Sequence, residues 1–428
     1  ALEVISRTSV MTYRTTDKTL PQIARELGVS WVLRADVQEA GGEVQVNARL
    51  MNALKDRLVW AESYRRSLTA ENVFDIQAEL SKAIIDALRA QLSANEVQRI
   101  EQYPTNNLEA YRLHLLGRNS LDLRTGEGTQ RAVAYFKRAI GQDPNYVLAW
   151  TGLADALSLL YDYDFEQSDE LLLQAEQAVR YSLELDPNSA EAHGSLGLLH
   201  SARQDGANAI RELTRSVELR SSYAEAHNWL GWVNQLMGNG PEGLVSAKRA
   251  VALDPLSGEA ISNLALSHLA VGEYAPALSE ARHVLDVLPS WSTAKFYEGL
   301  ALYHLARFSE AQFVLQDLSV AWADAGASAA FALALVASGD VTAAREKLTQ
   351  IETTDDLFSA GLVYTALGET EKAFARFQSI DNWRPWATLA MRHFYPLVLK
   401  PIREDARYDT ILGEINRSWG VVDQPLHD

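Results

Sequence analysis

A 34-residue period in the middle of the chain limits its fold more than any other feature. AEAHGSLG begins at Ala190, AEAHNWLG at Ala224 and GEAISNLA at Gly258. Glu191, Glu225 and Glu259 thus stand 34 residues apart, as do Ala260 and Ala294, and Pro255 and Pro289. With Ala224 as position 1, Leu230 and Gly231 fall at positions 7 and 8, where two helices cross too closely for bulk. Ala247 and Ala250 are small residues of a second helix. Pro255 at position 32 ends that helix, because proline lacks the N–H a helix interior needs. Asp143-Pro144, Asp186-Pro187 and Asp254-Pro255 mark three such ends. The pattern predicts about eight repeats, starting near residues 110, 147, 190, 224, 258, 292, 325 and 354. The first of them carries a Gly-containing loop, RTGEGTQ.

One helix–turn–helix per 34 residues is the signature of the tetratricopeptide repeat (TPR). Each helix pair buries its apolar face only by stacking on its neighbours, so the array grows into a solenoid with a groove lined by first helices. Positions 2, 5, 9 and 12 line that groove: Glu225, Asn228, Trp232 and Gln235, then Glu259, Ser262, Leu266 and Leu269, then Thr293, Phe296, Leu300 and Tyr303. Aromatic rings beside carboxylates and amides form a surface suited to a polypeptide. The expected protein-binding residues are Glu225, Asn228, Trp232, Gln235, Glu259, Ser262, Phe296 and Tyr303. Trp232 and Phe296 would serve equally well for packing between repeats. One TPR subclass grips a C-terminal carboxylate through Lys and Asn at positions 5 and 9. The residues at those positions here are Gly194/Leu198, Asn228/Trp232 and Ser262/Leu266, so that clamp is missing.

The first 95 or so residues follow a different rhythm. EVISRTSVMTY reads as a short strand turning into a helix at Ser6 or Thr8. TLPQIARELG is a short helix with Pro21 in its first turn and Gly28 as its stop. Alternating residues from Trp31, a Gly41-Gly42 turn and a second alternating run predict a hairpin, with a third strand from Leu58 to Ser67. An amphipathic helix opens at Asn72 or Asp75 and runs to about Leu92, and Tyr103-Pro104 marks a linker. The domains expected are therefore a small α+β domain over 1–95, a linker over 96–109, a TPR solenoid over 110–385, and capping helices and tail over 386–428.

Composition narrows the chemistry. With no cysteine, thiolate catalysis, disulfides and thiolate metal sites are excluded. A net charge of -17 with no basic stripe argues against nucleic acid as a partner of this chain. No nucleotide-loop, metalloprotease, serine-hydrolase or calcium-loop motif occurs. The chain therefore reads as no enzyme, with no cofactor and no metal. His193, His200 and His227, at repeat-related positions, are best explained by packing. The acidic cluster Asp162, Asp164, Glu166, Asp169 and Glu170 reads as a solvated loop.

VISRTSVMTYR, IARELGVSWVLRADVQEAGGEVQVNARLMNA, LVWAESYRR and VFDIQAELSKAI resemble the TolB N-terminal-like (FlgO-like) domain of bacterial proteins. The closing HFYPLVLKPIREDARYDTIL resembles the usual tail of such proteins after their TPR repeats. The resemblance implies the C-terminal half of a CadC-type winged-helix regulator or of a class III adenylate/guanylate cyclase. That family's opening strand and helix are missing before Ala1, so the chain reads as a fragment whose membrane tether, if any, lies upstream. It further implies a bacterial source, with the periplasm favoured over the cytoplasm. Three functions follow: a protein- or peptide-binding sensor module, the regulatory part of a cyclase, or a self-association module forming a homodimer.

Overall fold

The structure is a computed structural model and describes residues 4–14, 16–88, 100, 103–162, 168–321, 325–354, 356–381, 383 and 385–420. The chain packs as two units. Unit 1 comprises Ala1–Ala202, Arg215–Tyr223 and Leu253–Pro255; unit 2 comprises Arg203–Thr214, Ala224–Ala252 and Leu256–Asp428.

Unit 1 opens with two short helices, α1 (Arg7–Met11) and α2 (Leu20–Glu26). Val4–Ser6, expected as strand, forms none; the Ser6 N–H instead donates to the Leu253 carbonyl at 2.9 Å. Strands β1 (Trp31–Ala40), β2 (Glu43–Asn52) and β3 (Arg57–Ser67) form an antiparallel sheet in that order. Gly41 and Gly42 join β1 to β2 with φ of 60° and 78°, the left-handed pair that a two-residue turn demands. On β2 the alternation buries Val44, Val46, Ala48 and Leu50. Helix α3 (Ala70–Leu88) sets Ile76 against Val44, Val46 and Tyr64. It begins before Asn72 because the Thr69 hydroxyl accepts the Asn72 N–H at 3.2 Å, making Thr69 the cap. The residues expected to carry this helix on to Leu92 lie outside the described ones, as does most of the linker.

Helices α4 (Leu108–Leu121), α5 (Gly126–Gln142), α6 (Val147–Asp162), α7 (Asp169–Leu185) and α8 (Ala190–Ala202) follow. RTGEGTQ, expected as a loop, starts α5 instead, because Thr125 caps the helix by accepting the Gly128 N–H at 3.1 Å. Asp143 and Asp186 each accept the N–H two residues on at 3.0 Å, so these two Asp-Pro ends share one turn. The sheet domain is docked on the first repeat. Phe74 of α3 meets Tyr111 of α4 edge-on at 5.0 Å, and Arg112 pairs with Glu39 at 3.2 Å.

Helix α9 (Gly206–Leu219) has residues in both units. Unit 2 continues with α10 (Ala224–Met237), α11 (Gly240–Leu253), α12 (Gly258–Ala270), α13 (Tyr274–Val287), α14 (Ser292–His304), α15 (Phe308–Ala321), α16 (Ala325–Ser338), α17 (Val341–Glu352), α18 (Leu357–Ala366) and α19 (Thr370–Phe377). The last first helix starts at Leu357 and not near 354, since Asp356 caps it by accepting the Ser359 N–H at 2.9 Å. A Cβ on Gly231 would lie 3.2 Å from the Ala247 nitrogen and the Gly243 carbonyl, which is the close crossing that position 8 predicts. First helices α10, α12, α14, α16 and α18 pack each on the next. Beyond α19 the repeat is lost: α20 (Pro385–Leu389), a π-helical turn (Ala390–Phe394), α21 (Pro396–Leu399), a 3-10 turn (Lys400–Ile402) and α22 (Ala406–Ser418) close the unit.

Candidate binding groove

Helical phase places the eight predicted residues on first helices of unit 2, but not as an open aromatic surface. Asn228, Gln235, Ser262 and Phe296 are buried, and Glu225, Trp232, Glu259 and Tyr303 are half-buried. Asn228 accepts a hydrogen bond from the Asn263 amide at 2.9 Å, and the Gln235 amide donates to the Gly240 carbonyl at 3.3 Å. Tyr303 packs edge-on to His304 and against Phe308.

What covers much of this face is the chain's own C-terminal segment. Helix α20 lies on α10, and the π-helical turn lies on α12. His393 Nε2 donates to the Gln235 carbonyl at 2.8 Å, and Arg392 reaches the Met237 carbonyl at 3.5 Å. Both carbonyls belong to the last turn of α10, where the helix dipole is negative and a cationic or donor side chain is favoured. His304 Nε2 of α14 donates to the Phe394 carbonyl at 2.6 Å. The Phe394 ring, itself buried, sits 6.3 Å from Phe296 and 6.2 Å from Tyr297. Arg392 is further held by the Asn416 side chain of α22 at 2.6 Å.

Burial sets the electrostatics here. It drives the His393 imidazole down to about 4, aided by the Arg392 charge and opposed by the Gln235 hydrogen bond. Burial lowers His304 in the same way and brings the Arg392 guanidinium down to about 10. Polar groups around this contact are incompletely satisfied. Among the described residues, the buried Trp232 Nε1, Gln235 Oε1, Ser262 Oγ and Arg392 Nε find no hydrogen-bond partner. Three of these four belong to residues that the repeat phase assigned to the groove.

Sequence reasoning missed the other half of each contact. MRHFYP offered a signal, as a basic-aromatic stretch placed where the period fails, but it was legible only as a family-like tail. Unit 1 holds a second overlooked polar row. The buried Asp155 of α6 accepts the Ser195 hydroxyl at 2.6 Å and faces Arg118 of α4 at 3.6 Å. His114 lies between the Phe136 and Tyr146 rings, and its imidazole is driven by burial to about 3. Counting positions 5 and 9 from residues 110 and 147 would have found His114, Arg118, Thr151 and Asp155.

Other candidates stay apart. His193 Nε2 contacts the Pro187 carbonyl at 3.2 Å, and among the described residues no group of three or more His, Asp or Glu is placed to hold a metal. Asp164 and Glu166 of the acidic cluster lie outside the described residues, while Asp169 and Glu170 are exposed on the first turn of α7.

Paired helices at this spacing, stacked first helix on first helix behind a small sheet domain, define a TPR-type helical repeat protein. No family model matches the chain. It is 28% identical over 198 residues to "Putative adenylate cyclase 3" of Rhizobium meliloti (strain 1021), covering 46% of this chain and 33% of that protein. The chain thus spans about a third of the length of that curated relative. Among solved structures, a TPR protein of Parabacteroides merdae ATCC 43184 is 15% identical, with 56% of this chain and 99% of that one covered and a TM-score of 0.43. A thermophilic TPR protein of Thermus thermophilus is 20% identical over 45% of this chain and 99% of its own, with a TM-score of 0.38. PilF of Pseudomonas aeruginosa is 19% identical over 54% and 97%, with a TM-score of 0.39. At those scores the repeat assignment rests on the chain's own helix pairs.

Proposed function

We propose that this chain is a non-catalytic interaction module that holds a polypeptide segment along α10, α12 and α14, as the sensor or regulatory part of a larger bacterial signalling protein. One observation carries the reading: these helices already seat a polypeptide segment, the chain's own residues 385–394, and the buried Trp232 Nε1 and Ser262 Oγ on them are unpartnered. Glu225, Asn228, Trp232, Gln235, Glu259, Ser262, Phe296 and Tyr303 form the seat. Phe394 is the anchor, and the carbonyls closing α10 take the flanking donors.

The likeness to the Rhizobium protein favours a second reading for the parent molecule, in which the module regulates a nucleotide cyclase whose catalytic domain lies elsewhere. The TolB-N-like resemblance of the first 95 or so residues supports the same role and the envelope placement, with the domain division at about 95, 110 and 385. Among the described residues no helix is long and apolar enough to cross a membrane.

The test uses a labelled peptide spanning residues 383–402. Phe394→Ala in the full chain should unseat the native segment, so that the variant binds the peptide in a fluorescence-anisotropy titration while the native chain does not. Adding Trp232→Ala and Phe296→Ala should abolish that binding with the far-UV circular dichroism retained. A folded Phe394→Ala chain that ignores the peptide refutes the groove. Cyclic-nucleotide formation by the chain alone refutes the non-catalytic assignment.

A further inference from the structure

Strand β1 is an edge strand: among the described residues no strand pairs with its outer side, and it stays largely exposed although α2 packs against it. β2 buries Val44, Val46, Ala48 and Leu50, yet their neighbours on β1 in the same face do not follow. Leu33 pairs with Leu50 and Val37 with Val46, but Leu33 is 38% and Val37 59% exposed, and Trp31 at the head of the strand is 39% exposed. Helix α3 packs on β2 and β3. The opposite edge is blunted by a register irregularity at Leu50/Met51, which bends a strand out of line, and by Arg57, Arg65 and Arg66. β1 is straight in register, ten residues long, and has no proline and no lysine.

Its free edge has a defined polarity. The two-residue turn makes Ala40 and Glu43 a hydrogen-bonded closing pair, so alternate residues back from Ala40 bond to β2. Trp31, Leu33, Ala35, Val37 and Glu39 then direct their N–H and C=O outward. A row of that kind is a template for another strand.

We propose that β1 pairs antiparallel with β1 of a second copy of this chain, about a two-fold axis through Ala35, joining two three-stranded sheets into one. In that register Leu33 faces the partner's Val37 on the apolar side. Arg34 faces the partner's Asp36 on the other side, and the symmetry repeats both pairs. Ala35 meets the partner's Ala35 as a hydrogen-bonded pair, where small side chains allow close approach. Moving the axis to Asp36 would set two carboxylates face to face, and moving it to Arg34 would set two guanidinium groups together. A slip of one residue would lay apolar faces on polar ones. The pairing of Arg34 with the partner's Asp36 distinguishes the register about Ala35, because a two-fold at Leu33 would set Arg34 opposite Val32 and one at Val37 would set Asp36 opposite Gln38. Glu39 is already held by Arg112 of α4, so the pairing centres on Leu33 to Val37.

The whole chain is tested by sedimentation equilibrium over a wide concentration range. The native chain should be a dimer, Arg34→Asp should shift dissociation at least ~10-fold toward monomer, and Arg34→Asp with Asp36→Arg should restore it. The chain has no cysteine, so Ala35→Cys supplies one thiol per copy. A hydrogen-bonded cross-strand pair holds its Cα atoms ~5.5 Å apart, within disulfide reach. Mild oxidation should therefore yield a covalent dimer of Ala35→Cys in preference to Asp36→Cys. A strict monomer at every concentration overturns the proposal. So does a dimer that is insensitive to Arg34→Asp, or one in which Asp36→Cys cross-links better.

Discussion

Lowering the pH from neutral to about 5 should loosen the C-terminal segment from α10, and His393 sets the size of the effect. Its imidazole stays neutral in the seated segment down to about 4, whereas a released histidine takes up a proton near 6.5. Above ~6.5 neither state binds the proton, and the seated form keeps its full stability. Between ~6.5 and about 4 only the released form binds it, so each pH unit costs the seated form ~1.4 kcal/mol. At pH 5 the accumulated loss is about 2 kcal/mol, a ~30-fold rise in the released population. The carboxylates held low in this unit, Glu310, Glu352, Glu369 and Glu371 with Asp405, keep their contribution until the pH falls below their ordinary range, so they are silent in this window. His304 acts in the same direction as His393. Hydrogen exchange read by mass spectrometry, corrected for intrinsic rates, should show protection over residues 385–399 falling ~30-fold from neutral pH to pH 5. In His393→Gln, which keeps an N–H donor for the Gln235 carbonyl, the fall should be far smaller. An equal fall in both chains, or none in the native chain, refutes the assignment.

Three further outcomes follow from the packing. Alanine at Gly117 or Gly152 gains helix propensity, but its Cβ would lie 2.6 or 2.5 Å from the buried Phe136 ring, so each should destabilise unit 1 by about 1–3 kcal/mol. Thermal unfolding should show a lower transition that Phe136→Leu partly relieves; a raised transition would contradict the close approach. Asp155→Ala removes the short hydrogen bond from the Ser195 hydroxyl, leaving it the longer one to the Thr151 carbonyl, and the carboxylate facing a mostly buried Arg118; it should cost about 1–3 kcal/mol in denaturant titration, with Asp155→Asn costing less. Trp419→Ala empties a fully buried site and breaks the indole hydrogen bond to Thr388 on α20, so about 3–5 kcal/mol should be lost, and proteolysis should begin between residues 385 and 418.

The repeats were legible because their determinants are local. A small residue where two helices cross, an Asp-Pro turn and an apolar stripe all sit within one 34-residue window, so spacing alone locates α8, α10, α12 and α14. The hairpin was legible for the same reason, from two glycines and an alternation. Helix starts slipped where a neighbouring side chain captured the first N–H groups, as Thr69 does for α3 and Asp356 for α18. Burial across elements was not legible. Repeat phase says that Gln235 and Phe296 face the row of first helices, but not what lies over them. The residue that caps Gln235 is 158 positions away, in a stretch with no period. Likewise, alternation gives both faces of β1 without saying how many of its neighbours are covered.

The polar floor of the groove bears on why the C-terminal segment sits there. A buried donor or acceptor without a partner costs about 1–3 kcal/mol, and an apolar side chain of similar shape would remove that cost. Trp232 Nε1 and Ser262 Oγ carry it on the first helices and Arg392 Nε carries it on the segment, while Gln235 Oε1 carries it at the crossing with α11, where its amide meets Gly240 and Gly243. A cap serving only stability would favour leucine or alanine at such positions, as repeats 5 and 6 do at Leu266, Leu269 and Leu300 on neighbouring turns. On the proposed function, polar groups that the resident segment leaves unsatisfied would weaken its hold and offer partners to a second polypeptide. On that reading, such a seat would suit exchange between its own segment and another polypeptide better than permanent closure.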